Sequence, residues 1–308
     1  MPIVKTDVPM TSQLNDQIIT ELLQTYPFLR SETLTATAFG RPVRTLVIGT
    51  GPRKVLYSAA HHANEWITTP VILKFIEDFA AAITAGTRIG NADARELAEQ
   101  VTIYTVPMVD PDGADLVAGA IAPGTVEYEI ARRLGENYPD IPFPDGWKAN
   151  LMGVDLNLQY PAGWLRAREI KFSQGFTRPG PRDYVGRAPL NQLESRALAG
   201  YTEAVDPALV LALHTQGKVI YWQFGGFDVP GARALGEDFA RTSGYELADT
   251  PEESAYAGFK DWFIQNFRRP GYTIEVGEGD NPLPLSQFDE IYRDNLGILV
   301  AAATDLPR

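Results

Sequence analysis

The chain has no cysteine among its 308 residues and only three histidines. The missing thiols exclude disulfides, thiolate metal ligands and a cysteine nucleophile. No apolar run approaches the ~20 residues that a membrane-spanning helix needs. Basic residues are few beside acidic ones, 27 against 39, and the net charge of −12 argues against nucleic acid or an anionic membrane as the main partner. Residues Met1 to Gln13 carry no apolar stretch behind a basic one, so no secretory signal is apparent and a cytoplasmic protein is expected. A hydrophobic content of 44% is enough for a large core. No linker rich in Pro, Gly or Ser divides the chain, so residues 1–308 are expected to form one domain. The oligomeric state stays open.

Periodicity supplies the elements. Leu14–Tyr26 places Ile18, Ile19, Leu22 and Leu23 at helical spacing, and Trp66–Ala82 is amphipathic with Pro70 near its start. Strands are expected over Thr33–Phe39, Arg44–Gly49 and Lys54–Ala59, punctuated by turns at Gly40-Arg41-Pro42 and Gly49-Thr50-Gly51-Pro52. Val101–Val109 reads as a buried strand closed by the turn Asp110-Pro111-Asp112-Gly113, after which the chain is irregular to Gly153 apart from a helix near Val126–Leu134. Further strands fall at Leu209–Leu213, Val219–Phe224 and Tyr272–Val276, and further helices at Gln192–Val205, Gly231–Thr242 and Leu285–Thr304. Alternating helices and wholly apolar strands point to an α/β protein. The expected fold is a mixed, mainly parallel twisted sheet of about eight strands with helices on both faces.

The chemistry gathers at three strand ends. His62 and Glu65 follow directly on Lys54–Ala59, and a three-residue step across a turn can bring an imidazole and a carboxylate to one side of the backbone. Zinc catalytic sites commonly take three protein ligands, including a His2Glu set, and leave a position for water. His214, ending the apolar strand Leu209–Leu213, supplies the third ligand in this reading; C-terminal strand ends are where α/β proteins place their sites. His61 has Asn64 rather than a carboxylate three residues on, and is read as a core histidine. Glu275 interrupts the apolar run Tyr272–Val276 and needs a partner to be buried there. Either it forms a structural ion pair with Lys260, Arg268 or Arg269, or it is the general base for a water activated by zinc.

The ordered set of motifs resembles the zinc carboxypeptidase family, and within it the bacterial γ-D-glutamyl-L-diamino acid endopeptidases that cut peptidoglycan peptides. The resemblance runs through His61–Pro70, Pro107–Gly113, Trp147–Asn157, Arg178–Tyr184, Leu213–Gly217, Tyr256–Trp262 and Arg269–Val276. It implies one Zn2+ held by His62, Glu65 and His214, with Asp155 holding the first ligand histidine, Glu275 as catalytic base and Tyr256 as a mobile tyrosine that contacts the substrate amide. The implied activity is hydrolysis of the γ-D-glutamyl bond to a diamino acid such as diaminopimelate, with a peptidoglycan-derived peptide as substrate.

Two departures from the family pattern bear on recognition. Where carboxypeptidases clamp a terminal carboxylate with an Asn-Arg pair, the chain has Asn157 followed by Leu158, which cannot donate hydrogen bonds. The oxyanion-stabilising arginine has Lys148 as its best match. Arg166–Arg187 holds six basic residues against two acidic ones, and within it Arg178 and Arg182, on a loop stiffened by Pro179 and Pro181, are candidates for the substrate's carboxylates. Two other readings fit the same machinery. One is a zinc carboxypeptidase or deacylase of small amino-acid derivatives; the other is a peptide-binding homologue with reduced turnover.

Overall fold

A computed structural model describes residues 2–305 of the chain. Eleven strands occur among these residues, in chain order β1 (Thr33–Ala36), β2 (Pro42–Arg44), β3 (Leu46–Ile48), β4 (Arg53–Ala59), β5 (Arg88–Ile89), β6 (Ala92–Asp93), β7 (Val101–Val106), β8 (Leu209–His214), β9 (Val219–Tyr221), β10 (Glu246–Ala248) and β11 (Gly271–Glu275). Seven of them build the main sheet in the order β10-β9-β11-β8-β4-β7-β3, one fewer than the sequence suggests. The pairs β10–β9, β11–β8, β8–β4 and β4–β7 are parallel, while β9 and β3 run antiparallel to their inner neighbours.

Alternation along the central strands explains why both faces are covered. In β4, Val55, Tyr57 and Ala59 enter one core and Leu56 the other; in β8, Leu209, Leu211 and Leu213 oppose Val210 and Ala212 in the same way. The first core is closed by the helices Thr68–Ala85 and Phe288–Thr304, the second by Leu193–Val205 and Phe259–Phe267. Val71, Ile72, Phe75, Ile76 and Phe79 of the helix Thr68–Ala85 are fully buried, each worth about 1.5–3 kcal/mol of transfer free energy. That helix ends at Gly86, which takes the left-handed conformation and donates its N–H back to the Ala82 and Ile83 carbonyls.

Three expectations give way. The strand foreseen over Arg44–Gly49 breaks at Thr45, whose hydroxyl bonds the Glu32 backbone; Pro42–Arg44 pairs with β1 in a separate ribbon and Leu46–Ile48 edges the main sheet. The turn at Asp110 opens a buried helix, Pro111–Val117, capped by the Asp110 carboxylate accepting the Gly113 N–H. A helix over Trp164–Ser173 occupies a stretch in which no strand or helix was foreseen.

Candidate active site and metal centre

Three adjacent parallel strands deliver the reactive side chains to one edge of the sheet. β4 ends at Ala59 and the chain turns through His61 and His62 into the short 3-10 turn Ala63–Glu65. β8 ends on His214, and β11 ends on Glu275, which pairs with His214 in register. The parallel register therefore fixes the base candidate beside a histidine ligand candidate without help from any loop.

Around Glu65 the donors converge. The His62 Nδ1 lies 2.9 Å from one Glu65 oxygen and the His214 Nδ1 lies 2.9 Å from the other, while the two Nδ1 atoms are 3.2 Å apart. Among the described residues, His62, Glu65 and His214 form a buried group that can hold a metal ion. Two ring nitrogens and a carboxylate pointing lone pairs at one spot is an arrangement a cation satisfies and protons serve badly, so the residues fit zinc. The remaining contacts orient the ligands. The His62 Nε2 sits 3.1 Å from Asp155 Oδ1, an oxygen that also accepts the Asn157 N–H, and Glu65 Oε2 accepts the Thr215 N–H at 3.2 Å. His61 is fully buried, stacked on the His214 ring at 5.4 Å and 3.5 Å from the Tyr160 hydroxyl, as a core histidine would be.

The electrostatics are dominated by burial and mutual charge. Burial alone would lower the His62 pKa, but the Glu65 and Asp155 carboxylates more than offset it and push it up to about 9. Burial, reinforced by the charge of Glu65, raises Glu275 to about 8. Lys148 reaches Glu65 Oε1 at 3.2 Å, and the Glu65 carboxylate holds it protonated against the effect of burial. Glu275 forms no ion pair among the described residues; Lys260, one of its imagined partners, is bound to Asp261 at 2.6 Å, and Arg269 to Asp206 at 2.6 Å.

Two cavities meet at Glu275. One, of about 560 Å3, is lined by His62, Asp155, Asn157, Leu158, Lys171, Lys260, Asp261 and Thr273 among others. The other, of about 630 Å3, is lined by Asn64, Asp145, Thr215, Gln216, Asp280 and Asn281 among others. Lys148, Arg182, Tyr221, Ser254 and Glu275 belong to the walls of both.

The residues singled out from sequence separate here. Lys148, Asp155, Asn157, Arg182 and Glu275 all line the first cavity. Asn157 is partly committed, since its Oδ1 accepts the Phe259 N–H. Arg182 uses its Nε on Asp183 at 2.6 Å, and its side chain is 42% exposed. Arg178 does not join it: its chain segment is tied to Tyr138, its guanidinium faces Asn137, and it lies on the outer surface. Tyr256 also lies outside both cavity walls. Its hydroxyl donates to Glu252 at 3.1 Å, and its ring packs so close to Gly163 that a Cβ there would sit 2.6 Å from it. Sequence reasoning passed over Lys171 and the role of Lys260 in the wall. The available signal was an adjacent Lys260-Asp261 charge pair inside the aromatic-rich run Phe259–Phe267.

Comparison with known proteins agrees with this geometry. The family model described as zinc carboxypeptidase matches residues 16–297. Gamma-D-glutamyl-L-diamino acid endopeptidase 1 of Lysinibacillus sphaericus is 45% identical over 290 residues, covering 94% of this chain and 70% of that protein. In fold, thrombin-activatable fibrinolysis inhibitor superposes with a TM-score of 0.76 at 14% identity, over 99% of this chain and 77% of that one. The murein-tripeptide amidase MpaA of Escherichia coli O157 superposes with a TM-score of 0.54 at 18% identity, over 88% of this chain and 91% of that one. With the family's fold, its one-zinc donor set and a match over most of its length, the chain belongs to the zinc carboxypeptidase family and is a zinc metallopeptidase.

Proposed function

We propose that the protein hydrolyses the bond between γ-D-glutamate and a diamino acid in peptidoglycan-derived peptides. The observation that carries this is the 45% identity, over almost the whole chain, to an endopeptidase named for that bond. Two features support it: Glu275 belongs to the walls of two cavities, and Leu158, which lines the first, stands where the resemblance to the carboxypeptidases implies a carboxylate-clamping arginine.

His62, Glu65 and His214 would hold the metal. When bound, zinc supplies a Lewis acid that makes water nucleophilic near neutral pH and polarises the scissile carbonyl. Glu275, at the end of β11 beside His214, takes the proton from the attacking water. It then delivers that proton to the amine of the leaving diamino acid as the C–N bond breaks, so it is regenerated at the end of the cycle. Its half-buried position, where burial and the charge of Glu65 raise its pKa, suits a group that must both accept and release a proton. Lys148 stands on the same wall as a fixed positive charge and stabilises negative charge developing on the carbonyl oxygen. Arg182, with its terminal nitrogens uncommitted to any partner among the described residues, binds a substrate carboxylate.

The test is hydrolysis of L-Ala-γ-D-Glu-diaminopimelate by the zinc-loaded protein, with release of free diaminopimelate. Bound zinc without cleavage, unaltered by replacing Glu275, would favour a peptide-binding protein instead. We also place the activity in the cytoplasm, on soluble wall fragments; recovery of the protein outside the cytoplasm on cell fractionation would overturn that placement.

A further inference from the structure

One guanidinium that lines neither cavity of the site holds three carboxylates. The Arg41 Nε meets Asp115 at 2.6 Å, and its Nη1 meets Asp112 at 2.9 Å and Glu127 at 3.0 Å. Asp112 and Asp115 are buried on the helix Pro111–Val117, and Glu127 lies on the helix Val126–Gly135. The Arg41 backbone is itself fixed, since the Thr37 hydroxyl accepts its N–H and the Thr37 N–H donates to its carbonyl. Largely buried ionic groups are poor stabilisers, because desolvation cancels much of the attraction. A planar fork of donors does, however, set the direction and distance between the two helices more narrowly than apolar packing does.

Those two helices converge on the residues that carry the chemistry. Leu116 of the first and Ala131 of the second join Ala63, Trp147 and Ala149 in one small apolar cluster. Ala63 follows His62 in the turn that ends on Glu65, while Trp147 and Ala149 flank Lys148. The Ala63 N–H donates to the Lys148 carbonyl at 3.1 Å, which joins the two segments. The helix Pro111–Val117 presses on both: a Cβ at Gly113 would lie 2.7 Å from the Ala63 Cβ and 2.7 Å from the Ala149 carbonyl oxygen. With no void between them, a shift of the helix is passed on to the turn and to Lys148.

We infer that Arg41 is a positioning residue. By tying the helices Pro111–Val117 and Val126–Gly135 together, it sets the turn carrying His62 and Glu65 against Lys148, whose ammonium stands 3.2 Å from Glu65. The inference rests on the metal centre for the role of the turn, and on the proposed hydrolysis for the role of Lys148. A lysine at position 41 keeps the charge and loses the fork, so the helices stay buried without a fixed separation.

The experiment measures zinc affinity, by competition with a metal indicator, and kcat and KM on L-Ala-γ-D-Glu-diaminopimelate at saturating zinc. It compares the wild-type protein with Arg41→Lys, Glu127→Gln and Asp206→Asn, the last a control that breaks an exposed ion pair with Arg269. Arg41→Lys should weaken zinc binding and lower kcat by about tenfold each, with an unchanged far-UV spectrum. KM should stay within about twofold, because the turn and Lys148 act on the reacting carbonyl rather than on substrate binding. Glu127→Gln removes only the most exposed of the three carboxylates and should lower zinc affinity and kcat by about threefold. Asp206→Asn should change neither. A lower Tm with wild-type zinc affinity and kcat in Arg41→Lys is the signature of a structural ion cluster and would overturn the inference. If that variant does not fold, Glu127→Gln decides, and values equal to those of Asp206→Asn overturn it. A wild-type protein that binds zinc and cleaves nothing removes the proposed hydrolysis, while the zinc affinities of the variants still decide whether Arg41 positions the turn.

Discussion

The Nδ1 atoms of His62 and His214 stand 3.2 Å apart, each within 2.9 Å of a Glu65 oxygen. Such a knot of donors gains most when a cation replaces the protons. The purified protein should contain one zinc per chain by elemental analysis. A strong chelator should abolish hydrolysis, and stoichiometric zinc should restore it. Zinc at a hundred times its Kd should also raise stability by about 2.7 kcal/mol, readable as an upward shift in Tm.

Asp155 acts through His62. Asp155→Asn keeps the shape but loses the charge that faces the His62 Nε2 at 3.1 Å. Zinc affinity should fall about 10–100-fold, measured by competition with a metal indicator. Activity at saturating zinc should suffer far less than zinc affinity does.

Glu275→Gln separates chemistry from metal binding. Glu275 is not one of the three convergent donors, so zinc content should be unchanged. The loss of proton transfer should lower kcat by about 10^3-fold, within the usual range for a general base, with little change in KM. Retained activity would remove Glu275 as the base.

Arg182 and Arg178 are predicted to behave oppositely. Arg182→Met should raise KM for the diamino-acid peptide by about tenfold, equivalent to ~1.4 kcal/mol of binding, with kcat nearly unchanged. Arg178→Met, on the outer surface, should leave both constants as they were.

Glu194 couples stability to pH from behind the site. It is 2% exposed, and burial, added to by the charge of Asp112, pushes its pKa up to about 7. A folded-state pKa above the unfolded value means that the folded protein holds the proton more tightly. The contribution is therefore fully present below pH ~4.5 and is lost as pH rises through about 7, on the order of 3 kcal/mol in all. Glu194→Gln, which keeps an oxygen for the Asn150 amide, should flatten urea-unfolding stability across that window and raise it at pH 8. An unchanged pH profile would show that Glu194 titrates normally.

Much of this was legible in the chain because the reactive residues sit where strand periodicity ends. Lys54–Ala59, Leu209–Leu213 and Tyr272–Val276 are apolar runs whose termini are chemically out of character, and parallel strands place such termini together. Other features left no local trace. The break at Thr45 depends on a hydroxyl reaching Glu32, a contact between strands. In Trp164–Ser173 the apolar residues form no consistent stripe, so helical periodicity has nothing to display. Arg178 and Arg182 look equivalent in sequence, yet Tyr138, forty residues away, binds the backbone on either side of one of them and leaves the other facing the cavity.

The shared wall of Lys148, Arg182, Tyr221, Ser254 and Glu275 has a consequence for inhibitor chemistry. Since the two cavities share these side chains in their walls, weak fragments found separately for each can be joined by a short rigid tether. Attachment of the first then holds the second at a millimolar effective concentration, so modest ligands combine into a tight one without any new contact. A tether bearing a metal-binding group at its midpoint would fall beside Glu275, where the two halves of the cleft adjoin.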